Sequence, residues 1–453
     1  MGKTPTSPAP TSTTPAAAPA AASKLPPLEA IHDAVEQARN LRQALQNEKQ
    51  RIGCFLGAGC PRGIYNDVGK TSMELIPVVV ELTKRVAVGL DNLDKAPKST
   101  SQFKKAWDCL CKECKGTEDA EPTVEDVLTE IRTLTNRRGT AKVADITKEE
   151  LQTLDTAICT LITAEMEKSL PPHRCSYHRF ASWLGGLQPL TPVEIFSPNY
   201  DLLFEQAFEQ NQLPHFDGFV GSREPFFDLS SIEHDAIPAR WTRLWKVHGS
   251  INWEKIEEDV DGKPVTRVIR VTRKAQAGKV MIYPSHLKYE QSRRMPYLAM
   301  LDRLRAFFRA DSTKKDVSWP LLVVCGYSFL DDHLNEVLLD GLRGNRKAHC
   351  FALMYSNLAD AKRVAGYAEK QHNLTVLAWD GAVIGGRKGL YRAGTAGGDE
   401  CRPWLCEEDA PTGDPAKPTK LTRCRLGDFH FFGLFLEQLS GGLTNDEHVS
   451  TKL

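Results

Sequence analysis

Short apolar runs recur along this chain, and each stops abruptly at a glycine or a small polar residue before helical spacing resumes. The segment Arg51–Leu56 runs directly into Gly57, Ala58 and Gly59. Strand character returns at Val193 to Ser197, Trp245 to His248, Lys279 to Tyr283, Leu321 to Gly326, Cys350 to Tyr355 and Leu374 to Ala378, with helical patterns between several of these. Such alternation predicts an α/β fold, a Rossmann-like, mostly parallel sheet with helices on both faces.

Around that frame the other segments read as additions. Residues 1–27 are a Pro, Ala, Thr and Ser mixture that buries too little to offset the entropy of ordering, so a disordered tail is expected. Leu28 to Gln50 carries apolar residues at helical spacing and predicts a leading amphipathic helix. A helix is expected over Glu74 to Val86, beginning at or after Met73 because Pro77 is awkward in a helix interior. Residues 89–170 are polar and helical, with Thr147 and Glu150 spaced as a capping box, and read as a helical insertion within one domain spanning 28–440. Asp261-Gly262, flanked by alternating residues, predicts a hairpin. Gly, Pro and charge over 381–424 suggest a long loop, the aromatic segment Phe429 to Leu439 packs the chain back, and 441–453 reads as a flexible tail.

Composition excludes several classes of partner. Lys plus Arg and Asp plus Glu are balanced at 58 each, so no general nucleic-acid surface is predicted. No run approaches the roughly 18 apolar residues of a membrane span, and no apolar signal segment opens the chain, so the expected location is the cytoplasm, with no membrane partner. The 12 cysteines are scattered and often flanked by apolar residues, as for buried free thiols. Cys109, Cys111 and Cys114 have metal-like spacing without a second cysteine pair nearby, and no metal site is predicted.

Four strand ends carry the chemistry. In FLGAGC, glycines let backbone amides approach a diphosphate while a following helix offers its positive end, although such a turn also serves as a plain connection. In SPNYD, Asp201 can cap the next helix, whereas Asn199 has no capping task and offers both donor and acceptor. In KVHGSINW, His248 ends a strand beside a glycine, a place suited to a general base as well as to a structural histidine. In VVCGYSFLDDHLN, Asp331 and Asp332 read as helix-start residues, and Gly326 and Ser328 can touch a ribose or phosphate.

In this order the motifs GAG, NYD, HGS and GYS resemble the sirtuin-like NAD-binding domain, in particular the sirtuin-like NAD hydrolases of bacterial antiphage defence. WTRLW and YPSHLKYEQSRRMPYLAMLDRL add to the resemblance, which extends from about Arg51 to Leu439. It implies that Asn199 and His248 are the catalytic pair, that Gly57, Ala58, Gly59 and Asp201 belong to the cofactor site, and that Gly326 and Ser328 lie along the adenosine side. Cys60-Pro61 stands where a serine commonly follows the glycines, and Ser197-Pro198 replaces the usual polar pair before the asparagine. Deacetylating sirtuins carry a four-cysteine zinc module after the histidine motif, whereas Cys325 is the lone cysteine between His248 and Gly326, so no zinc is expected.

The resemblance further implies cleavage of the nicotinamide–ribose bond of NAD to nicotinamide and ADP-ribose, in an abortive-infection effector that is latent until activated. It implies a homo-oligomer or a partner, such as an ATPase of the HerA-like translocase type or another defence protein. An NAD-dependent deacylase and a non-catalytic subunit that senses NAD or ADP-ribose are the alternative readings.

Overall fold

The computed structural model describes residues 30–440, apart from 48, 67–70, 98, 100, 115–120, 137–145, 236, 273–279, 283–295, 310–318, 397, 399–402 and 411–419. The two expected tails, 1–27 and 441–453, and most of the YPSHLKYEQSRR stretch lie outside the described residues. The chain begins with β1 (Ala30–His32), α1 (Ala34–Leu45), β2 (Arg51–Leu56), α2 (Val79–Asp94), α3 (Phe103–Cys114), α4 (Val124–Asn136), α5 (Lys148–Met166), α6 (Ser176–Gly186), β3 (Glu194–Ser197) and α7 (Leu203–Gln210). It continues through β4 (His215–Phe216), β5 (Phe219–Val220), β6 (Phe226–Phe227), α8 (Leu229–His234), β7 (Thr242–Lys246), β8 (Gly249–Val260), β9 (Lys263–Arg270), β10 (Val280–Ile282) and α9 (Pro296–Phe307). It closes with β11 (Pro320–Cys325), α10 (Asp332–Gly344), β12 (His349–Leu353), α11 (Lys362–Lys370), β13 (Leu374–Leu377), β14 (Gly381–Ile384), β15 (Arg387–Tyr391), β16 (Leu405–Asp409), β17 (Lys420–Cys424) and α12 (Phe429–Leu439).

The central sheet runs β1-β15-β14-β13-β12-β11-β2-β3-β7-β4, and the seven strands from β13 to β4 pair in parallel. Side chains alternate between two apolar layers: Ile52, Cys54 and Leu56 of β2 enter one, Phe55 the other, and β11 divides in the same way. Burial on both faces is what the continuous apolar runs require. One layer is closed by α1, the helices α2 to α7 and α12; the second is closed by α9, α10 and α11 together with Trp253 and Val268 of the β8–β9 hairpin. Asp261 and Gly262 turn that hairpin with φ of 56° and 75°, the left-handed pair of a two-residue turn. Thr147 and Glu150 form the reciprocal cap of α5.

Three local expectations are corrected. The leading segment is not helical throughout: residues 30–32 form an edge strand parallel to β15, and the helix starts only after the Asp33 cap, whose carboxylate accepts from the Val35 and Glu36 amides. Residues 381–424 are not one long loop, since they carry the β14–β15 and β16–β17 hairpins. Finally, among the described residues no long helix directly follows the GAG turn. A single 3-10 turn, Cys60–Gly63, comes next, and α2 begins only at Val79, just past Pro77.

Numbered by chain order alone, the parallel strands β7, β3, β2, β11, β12 and β13 stand in the order 3-2-1-4-5-6. The direction of winding reverses between β2 and β11, and open α/β sheets form their ligand crevice outside the carboxyl ends at such a reversal.

Candidate functional site

The four motifs follow β2, β3, β7 and β11, which are contiguous in the sheet, so the topology alone gathers them at one edge. The first and last motifs interlock. Gly57 N–H donates to the Cys325 carbonyl at 3.0 Å and Gly59 N–H to the Gly326 carbonyl at 2.7 Å. A Cβ on Gly57 would lie 2.5 Å from the Gly326 oxygen, and one on Gly326, at φ 66°, would lie 2.6 Å from the Cys60 nitrogen. Only glycine permits this approach. Two of the loop's amides are engaged by the carbonyls of Cys325 and Gly326, and among the described residues the next element is a 3-10 turn rather than a long helix. What Gly57 and Gly59 can offer a ligand is close backbone surface at the reversal point, with Ala58 exposed between them.

Asn199 is fixed from two sides. Ser197 Oγ donates to the Leu56 carbonyl at 3.0 Å and accepts the Asn199 amide at 3.2 Å, which turns the chain around Pro198. The Asn199 side chain then donates from Nδ2 to the Gly57 carbonyl at 3.1 Å. Its Oδ1 has no partner although the residue is only 7% exposed. A buried amide held by its donor with its acceptor left open is costly unless something else completes it.

His248 follows β7 and is 4% exposed. Its Nε2 lies 3.1 Å from Asp331 Oδ2, at ion-pair distance but not aligned as a hydrogen bond. Tyr200, next to Asn199, sits 6.5 Å from the His248 ring and donates its hydroxyl to Glu125 of α4 at 2.8 Å, which ties the helical insertion to the site. Asn199 thus touches the first motif and His248 the last.

Asp201 lies two residues beyond Asn199. Its side chain is 1% exposed and its Oδ1 accepts the Leu203 amide at 3.0 Å, a local turn just ahead of α7, whose N-cap is Leu202. Burial pushes the Asp201 carboxyl up against the opposing pull of Lys246, whose ammonium donates to the Asp201 carbonyl; Glu205, 3.4 Å from that ammonium, is raised for the same reason. Gly326 is half-buried and Ser328 exposed, both on the loop that leads to Asp331. Among the described residues no group of three or more His, Cys, Asp or Glu is arranged to hold a metal ion; Cys109, Cys111 and Cys114 lie on one helix, α3. No helix among the described residues is long and apolar enough to cross a membrane.

Three contributors were not singled out from sequence: Ser197 as the latch of Asn199, Asp331 as the neighbour of His248, and the Tyr200–Glu125 tether. Ser197 had a local signal, since Pro198 has no amide and the hydroxyl of the preceding residue is free to serve the next one.

Residues 193–377 match the family described as SIR2-like domain. The match takes in Asn199, His248, Gly326 and Asp331 but not the glycine turn at 57–59. No curated protein matches the chain. A solved structure described as "Structural Basis for the Mechanism and Regulation of Sir2 Enzymes" is similar to it at a TM-score of 0.30 and 11% identity, over 72% of this chain and 88% of that one.

Proposed function

We propose that the chain binds NAD at the strand-end crevice and hydrolyses the nicotinamide–ribose bond, a reading supported by the match of residues 193–377 to the SIR2-like domain. The observation that carries the reading is the Asn199 amide, anchored through Nδ2 on Gly57 while its buried Oδ1 lacks a partner. Nicotinamide leaves as a neutral amide from a cationic pyridinium, so bond breaking needs no acid, and the ribose develops oxocarbenium character. Catalysis then rests on orientation and on stabilising that charge. The Asn199 Oδ1 orients the nicotinamide ribose and the attacking water, and His248 accepts the proton that the water gives up. NAD and water yield nicotinamide, ADP-ribose and one proton.

By the same resemblance the setting is antiphage defence, in which uncontrolled loss of NAD would harm the host and activity is held latent. A homo-oligomer, or a partner ATPase of the HerA-like translocase type, acts as the switch in the cytoplasm. Nothing beyond NAD is required as cofactor, and no zinc is invoked.

The test is nicotinamide release from NAD by the purified protein, at low and high protein concentration and with candidate activators. Release without any acyl acceptor, abolished in Asn199→Ala, is the expected result. Release only when an acylated peptide is present would replace this reading with a deacylase, and binding of NAD without turnover under every condition would replace it with a sensing subunit.

A further inference from the structure

We infer that Asp331 is the positioning residue of His248, a carboxylate that reaches the imidazole from the opposite side of the crevice. The inference rests on the reading of His248 as the proton acceptor. In the sheet, β7 and β11 are separated by β3 and β2, three strand spacings or about 14 Å. Yet His248, after β7, and Asp331, after β11, stand 3.1 Å apart. The two loops therefore arch over the ends of β2 and β3, and the pair meets above the strand ends that carry Gly57 and Asn199.

The Asp331 carboxylate has more to give than its helix needs. Oδ1 alone caps α10, accepting the His333 amide at 3.0 Å and the Leu334 amide at 3.1 Å, and Oδ2 is the atom turned to His248. The loop that carries it is braced: Tyr327 donates to the Asp331 carbonyl at 3.1 Å and to Asn335 Oδ1 at 2.9 Å, while Asn335 Nδ2 donates to the Phe329 carbonyl at 2.8 Å. Phe329 itself is held at φ 56°, a strained conformation for a bulky residue that such bracing sustains. A braced carboxylate beside an imidazole fixes which ring nitrogen carries the proton and stabilises the imidazolium formed when the ring accepts one. Contacts of this kind are often misaligned in the free protein and tighten when substrate is bound.

Asn is as good a helix cap as Asp, so Asp331→Asn separates the two duties of this residue. The full chain carrying Asp331→Asn is expected to keep its melting temperature within about 2 °C while kcat for nicotinamide release falls about 10- to 100-fold with KM nearly unchanged. Asp331→Ala loses the cap as well and melts lower. Independently of turnover, nitrogen-15 NMR of the free protein reads the His248 ring, identified by the signals that vanish in His248→Ala. Asp331→Asn should shift those signals, and Asp228→Asn, at the cap of α8, should not. Unshifted ring signals, or wild-type kcat in Asp331→Asn, overturn the inference. A wild-type protein that does not cleave NAD defeats the proposed activity instead, and the ring signals alone then decide the pairing.

Discussion

The two ends of β3 treat buried polar groups in opposite ways. At its amino end Glu194, 1% exposed, takes Arg51 at 2.7 Å, Arg303 at 3.1 Å and the Trp245 indole N–H at 2.9 Å, so both carboxylate oxygens are matched. In the segments that follow β3 and β7, Asn199 Oδ1, Asp201 Oδ2 and His248 Nε2 are buried without a hydrogen-bond partner, as is Glu205 Oε2 of α7. Each such atom costs about 1–3 kcal/mol. A four-residue strand thus joins an end where a buried charge is fully satisfied and nothing has to bind to an end where unmet hydrogen-bonding capacity accumulates in the motif segments. The contrast places the polar groups with open hydrogen-bonding capacity at the edge where the proposed NAD site lies.

The largest effect that can break this contrast lies in activity. Asn199→Ala and His248→Ala should each lower nicotinamide release by at least about 100-fold, whereas the one hydrogen bond lost in Asn199→Ala, from Nδ2 to the Gly57 carbonyl, should cost only about 1 kcal/mol of stability. A fall in stability equal to the fall in activity would make them structural residues. At the other end, Glu194→Ala strands the Arg51 guanidinium and the Trp245 indole N–H and leaves Arg303 to Asp235, and chemical denaturation should show a loss of about 3–5 kcal/mol; a loss below about 1 kcal/mol would mean that the network is not holding the amino end together.

The ends should also differ in the sign of their pH dependence. Burial raises the Glu194 carboxyl, but Arg303 and Arg51 outweigh it and leave the group below the usual carboxylate range. Its contribution to stability is complete above the ordinary glutamate pKa of about 4.3 and is lost as pH falls below it. Asp201 and Glu205 are raised, so their contribution is complete below the ordinary carboxylate range and is lost as pH climbs through the raised values. Urea midpoints from about pH 2.5 to 7 should therefore show Glu194→Gln growing worse relative to wild type as pH rises toward the ordinary glutamate range, and Asp201→Asn growing better as pH rises above it. Parallel slopes would refute the contrast. The smallest expected effect is that of Tyr200→Phe, which removes the tether to Glu125 and should cost about 1 kcal/mol, read in the same denaturation experiment.

What was legible in the sequence was whatever local pattern dictates. IGCFL and LLVVC announce strands buried on both faces, and the motif order along the chain is enough to place Asn199 and His248 at one edge once the sheet is parallel. What escaped depends on partners distant in sequence. The amides of Gly57 and Gly59 look available until the end of β11 and the Gly326 that follows it are seen taking both. Asp331 reads as a helix cap, which it is, and its second oxygen acquires meaning only when β7 and β11 bring His248 across. Composition misled at 381–424, where glycine serves strands: Gly385 and Gly386 turn the β14–β15 hairpin at φ 56° and 81°, and Gly381 leaves no room for a Cβ against the Gly389 carbonyl.

The central claim is that the open Asn199 oxygen and the His248 ring serve one dinucleotide lying at the β2–β11 reversal. A crystal structure of the His248→Ala variant with NAD bound tests it most directly. The account predicts the nicotinamide ribose within about 3 Å of Asn199 Oδ1 and the diphosphate against Gly57, Gly59 and Gly326. NAD lodged elsewhere on the protein, with Asn199 Oδ1 still facing no ligand, would contradict it.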